Sequence, residues 1–323
     1  FVFPPRNALP WRLLMDRQAP LYDDRFGAIE RWVQRARRFF RWRTRRTLGK
    51  PVEILVEIRW RLGDEIMALP VYQGLKAFYP RSRLTVWCNY PDLLRDNPHV
   101  DAVNDETVRP DKYILLQGAP RHAVRIEHYA RKAGIPAPAD PPRLYYKDWA
   151  TPLLDGLVSE GQPLVALCTG ATWTTKRWPL ERWRELAQGL VDAGYAVVQI
   201  GRGDERIGAV PSLVDQTPAG EAACVLRAAS LFISGDTGPM HLARAVGTTT
   251  LSLFGPTLAR ILAVEDPDWA IITNGRDCRG CWNLRKDRIR EGVCPLDIPV
   301  CLDPISVDTV FDRAMELLAR GSR

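Results

Sequence analysis

Short apolar runs alternate along the chain with segments whose apolar positions recur at helical spacing. Val52-Glu53-Ile54-Leu55-Val56-Glu57-Ile58 predicts a strand, Leu62-Gly63-Asp64 a turn, and the periodic stretch from Ile66 to Phe78 a helix. Leu84 to Cys88 and Tyr113 to Leu116 predict two more strands, and His122 to Ala133 a second helix. The proline-rich stretch PAPADPP, ending at Pro142, cannot hold regular structure and predicts a boundary near residue 150. The pattern then restarts, with strands at Pro163 to Leu167, Tyr195 to Ile200, Leu231 to Ser234 and Thr250 to Phe254, and an amphipathic helix from Ser306 to Leu318. Strand and helix in alternation are the signature of parallel sheets. Two such sets predict an α/β protein with two Rossmann-like domains, residues 51–150 and 151–323, facing across a cleft. Ligands then belong at the carboxyl ends of the strands.

Composition narrows this picture. The chain has 323 residues, 46% hydrophobic and 26% charged, and no apolar run of the length a membrane-spanning helix needs. Phe1 to Pro5 is too short and too soon broken by prolines to be the core of a secretory signal, so a cytoplasmic protein is expected. The net charge of +7 is local, because residues 31–50 hold nine Lys/Arg and no Asp/Glu. There Trp32, Phe39, Phe40 and Trp42 interleave with arginines, as in a helix lying on an anionic inner-membrane surface. A solvated helix packed on the body of the protein, or on another subunit of a homo-oligomer, explains residues 1–50 as well. Nucleic-acid binding is a third reading, without a base-reading module to support it.

Two segments carry candidate chemistry. In Leu231-Phe232-Ile233-Ser234-Gly235-Asp236-Thr237-Gly238-Pro239-Met240-His241 a strand runs through Gly-Asp-Thr-Gly into a helix with proline in its first turn. Such a helix start offers backbone N–H groups and a positive dipole end to an anion such as a diphosphate; an ordinary capped turn has the same pattern. The segment Cys168-Thr169-Gly170-Ala171-Thr172-Trp173-Thr174-Thr175-Lys176 places hydroxyls and one ammonium after another strand, a composition that suits phosphate oxygens. It lacks the GxxxxGK[ST] spacing, which disfavours kinase-type phosphoryl transfer.

Together RLGDEIMALPVYQGLKAFYP, TGATWTTKRWPLERWRELAQGL, GYAVVQIGRGDE and FISGDTGPMHLARAVGTTTLSLFGPT resemble glycosyltransferase family 9, over roughly residues 52 to 318. The family includes the ADP-heptose:lipopolysaccharide heptosyltransferases. The resemblance implies a GT-B fold and inverting, metal-independent transfer from an ADP-sugar, with no catalytic cofactor. It makes Asp64 of RLGD the general base on the acceptor hydroxyl, with Glu65 as competitor. Thr172 and Lys176 would bind phosphates and sugar, Glu205 the ribose hydroxyls, Thr237 and Gly238 the diphosphate, with Asp236 near the sugar. His241, one turn into the helix, could reach the phosphates or simply fill the interdomain wall. The interval between the Asp64 and Lys176 motifs is shorter than in the lipopolysaccharide enzymes, and the arm of about fifty residues is additional to them. Both features leave the acceptor open: lipopolysaccharide, another surface glycan or glycolipid, or a protein serine.

Cys278 and Cys281 form a CxxC, followed by Cys294 and Cys301 after twelve and six intervening residues. Four soft ligands in a 278–301 insertion suit a closed structural zinc or iron site, and family 9 relatives that act on autotransporter proteins carry a four-cysteine iron site. Four unligated thiols are the alternative, since the second pair lacks CxxC spacing. From another class, a basic zinc-containing nucleic-acid binder would hold backbone phosphates at the same turns.

Overall fold

The computed structural model describes residues 51–203, 205–262, 267–284, 293–294 and 301–321, with Val33, Ala36, Phe40 and Thr44 of the arm. The chain falls into two compact units, residues 1–50 and 51–323. In the first, the four described residues are helical, and the Thr44 hydroxyl donates to the Phe40 carbonyl. The basic face expected over 31–50 otherwise lies outside the described residues.

The second unit holds two parallel sheets. Strands β1 (Val52–Ile58), β2 (Ser82–Cys88), β3 (Ala102–Val103) and β4 (Lys112–Leu115) form the first, in the order β3-β2-β1-β4. Strands β5 (Leu164–Cys168), β6 (Ala196–Gln199), β7 (Leu231–Gly235), β8 (Thr250–Phe254) and β9 (Trp269–Thr273) form the second, in the order β6-β5-β7-β8-β9. Every residue of β5, β7 and β8 is buried, as expected of parallel strands covered on both faces. Each sheet reverses direction once, between β1 and β4 in the first and between β5 and β7 in the second. In open α/β sheets ligands bind beyond the strand ends at such a reversal. The RLGD, TGATWTTK and GDTG segments follow β1, β5 and β7.

The described helices are α1 (Leu62–Met67), α2 (Leu69–Phe78), α3 (Arg125–Ala133), α4 (Leu180–Asp192), α5 (Ala219–Ala228), α6 (Gly238–Ala245), α7 (Ala259–Leu262), α8 (Cys281–Leu284) and α9 (Val307–Gly321). The helix expected from Ile66 to Phe78 is two helices, because Pro70 has no N–H and its ring excludes the carbonyl four residues back. The expected turn at Leu62-Gly63-Asp64 is the first turn of α1. Helix α4 turns Trp183, Leu186, Ala187 and Leu190 to one side, the spacing of an amphipathic helix. They join Val165, Leu167, Ile233 and Leu251 of the strands and Val310, Ala314 and Leu317 of α9 in one core. Trp178 meets Trp183 edge to face and donates its indole N–H to the Ile305 carbonyl, 2.9 Å. As expected, Ser306 starts α9: its hydroxyl accepts from the Thr309 amide.

The two sheets meet where α1 packs on α6. A methyl group on Gly63 would lie 2.8 Å from His241 Cδ2, and one on Gly238 3.0 Å from Leu62 Cβ, so both glycines are needed for the approach. Between the sheets the chain touches both sides: the Leu144 amide bonds the Ala245 carbonyl, and the Tyr146 hydroxyl the Asp92 carbonyl. Gly63→Ala is expected to overpack the seam and lower stability by about 1–3 kcal/mol. Urea unfolding measures this, and an unchanged midpoint would contradict so tight a contact.

Candidate active site between the two sheets

The first wall is built by the chain leaving β1. Glu65 is buried, at 3% exposure. Its Oε1 accepts from the amides of Trp60 and Asn89, at 3.2 and 2.8 Å, and its Oε2 from Tyr90 at 3.0 Å. Glu65 therefore ties the turn after β1 to the turn after β2. Burial, only partly offset by the three amides, pushes its carboxyl up to about 7. Asp64, the preceding residue, faces the cleft. The Tyr129 hydroxyl donates to Asp64 Oδ1 at 2.9 Å, and Arg125 Nε lies 3.4 Å from the same oxygen.

The second wall is the pair of segments after β5 and β7. Lys176 Nζ lies 2.6 Å from Asp236 Oδ2, which also accepts from the Thr257 hydroxyl at 2.6 Å. Burial would raise the Asp236 carboxyl, but the Lys176 ammonium and the bonds from Lys176 and Thr257 hold it below its ordinary value. Lys176 also lies over the Trp173 ring, 4.3 Å from its centroid. Glu205 pairs with Arg177 Nη1 at 2.7 Å; burial raises its carboxyl and the guanidinium opposes that. Thr172 is exposed at the cavity wall. Thr237 occupies the N-cap position of α6 without a side-chain cap bond, its hydroxyl lying 3.5 Å from the Gly235 carbonyl. His241 is buried against Gly63, and burial holds it below its ordinary value against the pull of Asp236 and Asp64.

One cavity of about 1090 Å³ connects the walls. Asp64, Thr172, Lys176, Glu205, Asp236, Thr237, Gly238 and His241 all border it. The structure adds Arg125, Tyr129, Arg177 and Thr257, which sequence reading missed. Arg125 and Tyr129 have only helical i, i+4 spacing as a local signal, and their target lies more than sixty residues away.

The cysteine insertion forms another side of this cavity. Trp282 and Asn283 of α8 line it, Trp282 packs edge-on against Trp173, and the Arg121 guanidinium stacks 3.6 Å over the Trp282 ring centroid. Asn283 donates to the Arg121 carbonyl, joining the insertion to the first wall. Cys301 is buried and takes a 3.1 Å bond from Asn274 Nδ2. Its thiol is pushed up to about 11 by burial, against the Asn274 bond and with the added influence of Cys281, Cys278 and Cys294. The thiolate chemistry of these four cysteines suits a soft metal. Among the described residues, however, no three or more such side chains are gathered as a metal site. All seven cysteines are free thiols.

Two facing Rossmann-like halves, with the candidate residues on opposed strand ends, define a GT-B protein. Residues 126–282 match the model of glycosyltransferase family 9 (heptosyltransferase). Lipopolysaccharide heptosyltransferase 1 of Pseudomonas aeruginosa is 37% identical over 110 residues, 30% of this chain and 30% of that protein. The fold is similar to that of a family 9 glycosyl transferase from Veillonella parvula, with TM-score 0.67 at 16% identity over 84% of this chain and 98% of that one. It is also similar to that of the iron-containing dodecameric glycosyltransferase TibC of enterotoxigenic E. coli, with TM-score 0.70 at 19% identity over 85% and 78%. Over residues 126–282 the chain is similar to the heptosyltransferases of glycosyltransferase family 9. Its matched stretches span between 30 and 40% of the length of the curated relatives. No helix among the described residues is long and apolar enough to cross a membrane.

Glu65 gives a stability prediction. Its folded value, about 7, lies above the ordinary 4.5, so between these pH values the folded state holds a proton that the unfolded state has lost. Stability should therefore fall as pH rises through this window, by on the order of 3 kcal/mol. Denaturant unfolding of wild type and Glu65→Gln at pH 5 and 8 measures it: the variant should lose this part of the pH dependence.

Proposed function

We propose that the chain transfers a heptose-like sugar from an ADP-sugar to a hydroxyl of lipopolysaccharide or another surface glycan, with inversion and without a catalytic metal. The observation that carries this reading is one cavity with a carboxylate on one wall and an ammonium beside a helix start on the other. Asp64 takes the proton of the acceptor hydroxyl as its oxygen attacks the anomeric carbon, and the bond to the diphosphate breaks with its electrons leaving on ADP. Lys176, Thr172 and the Thr237-Gly238 backbone stabilise the charge growing on that diphosphate. Asp236 acts mainly by holding Lys176 in place, Glu205 accepts from the ribose hydroxyls, and His241 fills the wall between the halves. In this scheme residues 51–150 form the acceptor domain and 151–323 the donor domain. The free cysteines agree with a cytoplasmic setting, and the basic arm with contact to the inner-membrane surface or a second subunit.

A second reading, transfer to protein serine, is favoured by the fold similarity to iron-containing TibC together with the cysteine set. In either case Cys278, Cys281, Cys294 and Cys301 would hold a structural zinc or iron that fixes the insertion and supplies no step of the transfer. Metal analysis of the purified protein should find about one equivalent. Cys281→Ser should lose it, and a metal-free wild type of unchanged melting temperature would remove the site.

Among ADP, UDP and GDP, ADP should selectively raise the melting temperature. Asp64→Ala should abolish turnover of ADP-heptose while keeping that shift, and Lys176→Ala should weaken both. Equal shifts with all three nucleotides, or an active Asp64→Ala variant, would contradict the scheme.

A further inference from the structure

Asp64 is held from behind by two side chains of one helix. Arg125 and Tyr129 are four residues apart on α3, so they project from the same face, and both reach the same carboxylate oxygen. Tyr129 is 1% exposed, and α3 packs on α2 and β4, so the hydroxyl is held on a rigid element. Burial first, and then the neighbouring Asp64 carboxylate, push the Tyr129 phenol well above its ordinary value. It therefore remains a donor at neutral pH. Arg125 lines the cavity and adds a positive charge on the same side.

We infer that Arg125 and Tyr129 are the positioning residues of the transfer reaction, a pair that fixes Asp64 by its Oδ1 and assigns the acceptor proton to Oδ2. The inference rests on the transferase reading with Asp64 as base. It goes beyond it by naming the groups that make this aspartate a directed base. The Tyr129 hydroxyl fixes the carboxylate plane, as a buried donor to an ionised acceptor does. The Arg125 guanidinium lies beside the same oxygen and restrains it from a second direction. In the transfer step the acceptor oxygen bonds to the anomeric carbon, the bond from that carbon to the diphosphate oxygen breaks, ADP leaves with the electron pair, and the hydroxyl proton passes to Oδ2. Tyr129 and Arg125 keep their own protons throughout.

The test compares Tyr129→Phe, Arg125→Gln, Arg125→Lys and Asp64→Ala with wild type, using ADP-heptose and following ADP release to acceptor or water across pH 5 to 9. Tyr129→Phe and Arg125→Gln should lower kcat roughly ten- to a hundredfold, the loss expected for a hydrogen bond to a charged group, with little change in the KM for ADP-heptose. Arg125→Lys should recover most of the Arg125→Gln loss, which a purely packing role would not predict. Wild-type kcat in both variants, beside an inactive Asp64→Ala, would overturn the positioning role and leave the base reading standing. An active Asp64→Ala, or a wild type that releases no ADP, would overturn both. A Tyr129→Phe protein without the ADP-induced thermal shift has lost its fold, and the Arg125→Gln and Arg125→Lys pair then decides.

Discussion

The close approach of two helix starts is the constraint on which the rest of the site depends. Gly63 in α1 and Gly238 at the start of α6 leave no room for a side chain, so each helix reaches the other half of the protein. Parallel sheets covered on both faces leave their strand ends as the accessible irregular backbone. Bringing two such ends together turns two ordinary turns into opposite walls of one cavity. His241 lies at the contact, which explains why it is buried and held in its neutral form.

Within that cavity each facing carboxylate has a cation: Arg125 for Asp64, Arg177 for Glu205 and Lys176 for Asp236. The most buried of the three, Lys176 with Asp236, is completed by the Thr257 hydroxyl, as a desolvated pair requires. Such pairing fixes long side chains before any ligand arrives, which lowers the cost of ordering them on binding. It also separates two acidic residues adjacent in sequence. Asp64 faces the cavity, whereas Glu65 spends both oxygens on backbone amides.

The match to family 9 covers residues 126–282, so it begins just after Arg125 and includes Tyr129 and the TGATWTTK and GDTG segments. The wall that carries Asp64 lies before it. The wall built by the TGATWTTK and GDTG segments thus lies inside the matched stretch and the Asp64 wall outside it. The cysteine insertion spans both, as Asn283 and Trp282 reach Arg121 across the cavity.

Periodicity was enough to place most strands, since a buried parallel strand is a short apolar run between turns, and Ser306 marked the start of its helix through local capping chemistry. The glycine-rich turns and the isolated lysine were legible for the same reason: they are local patterns. Periodicity joined α1 to α2 because an apolar face continues across Pro70 although the backbone hydrogen bonds do not. Short β3 and the half-buried β9 lacked a run long enough to register. What the sequence by itself determined was the alternating α/β plan and the residue types at the strand ends. Only the tertiary structure decided which acid faces the cavity, which cation holds it and which glycines touch, because those partners lie tens to hundreds of residues apart and meet only when both sheets are packed.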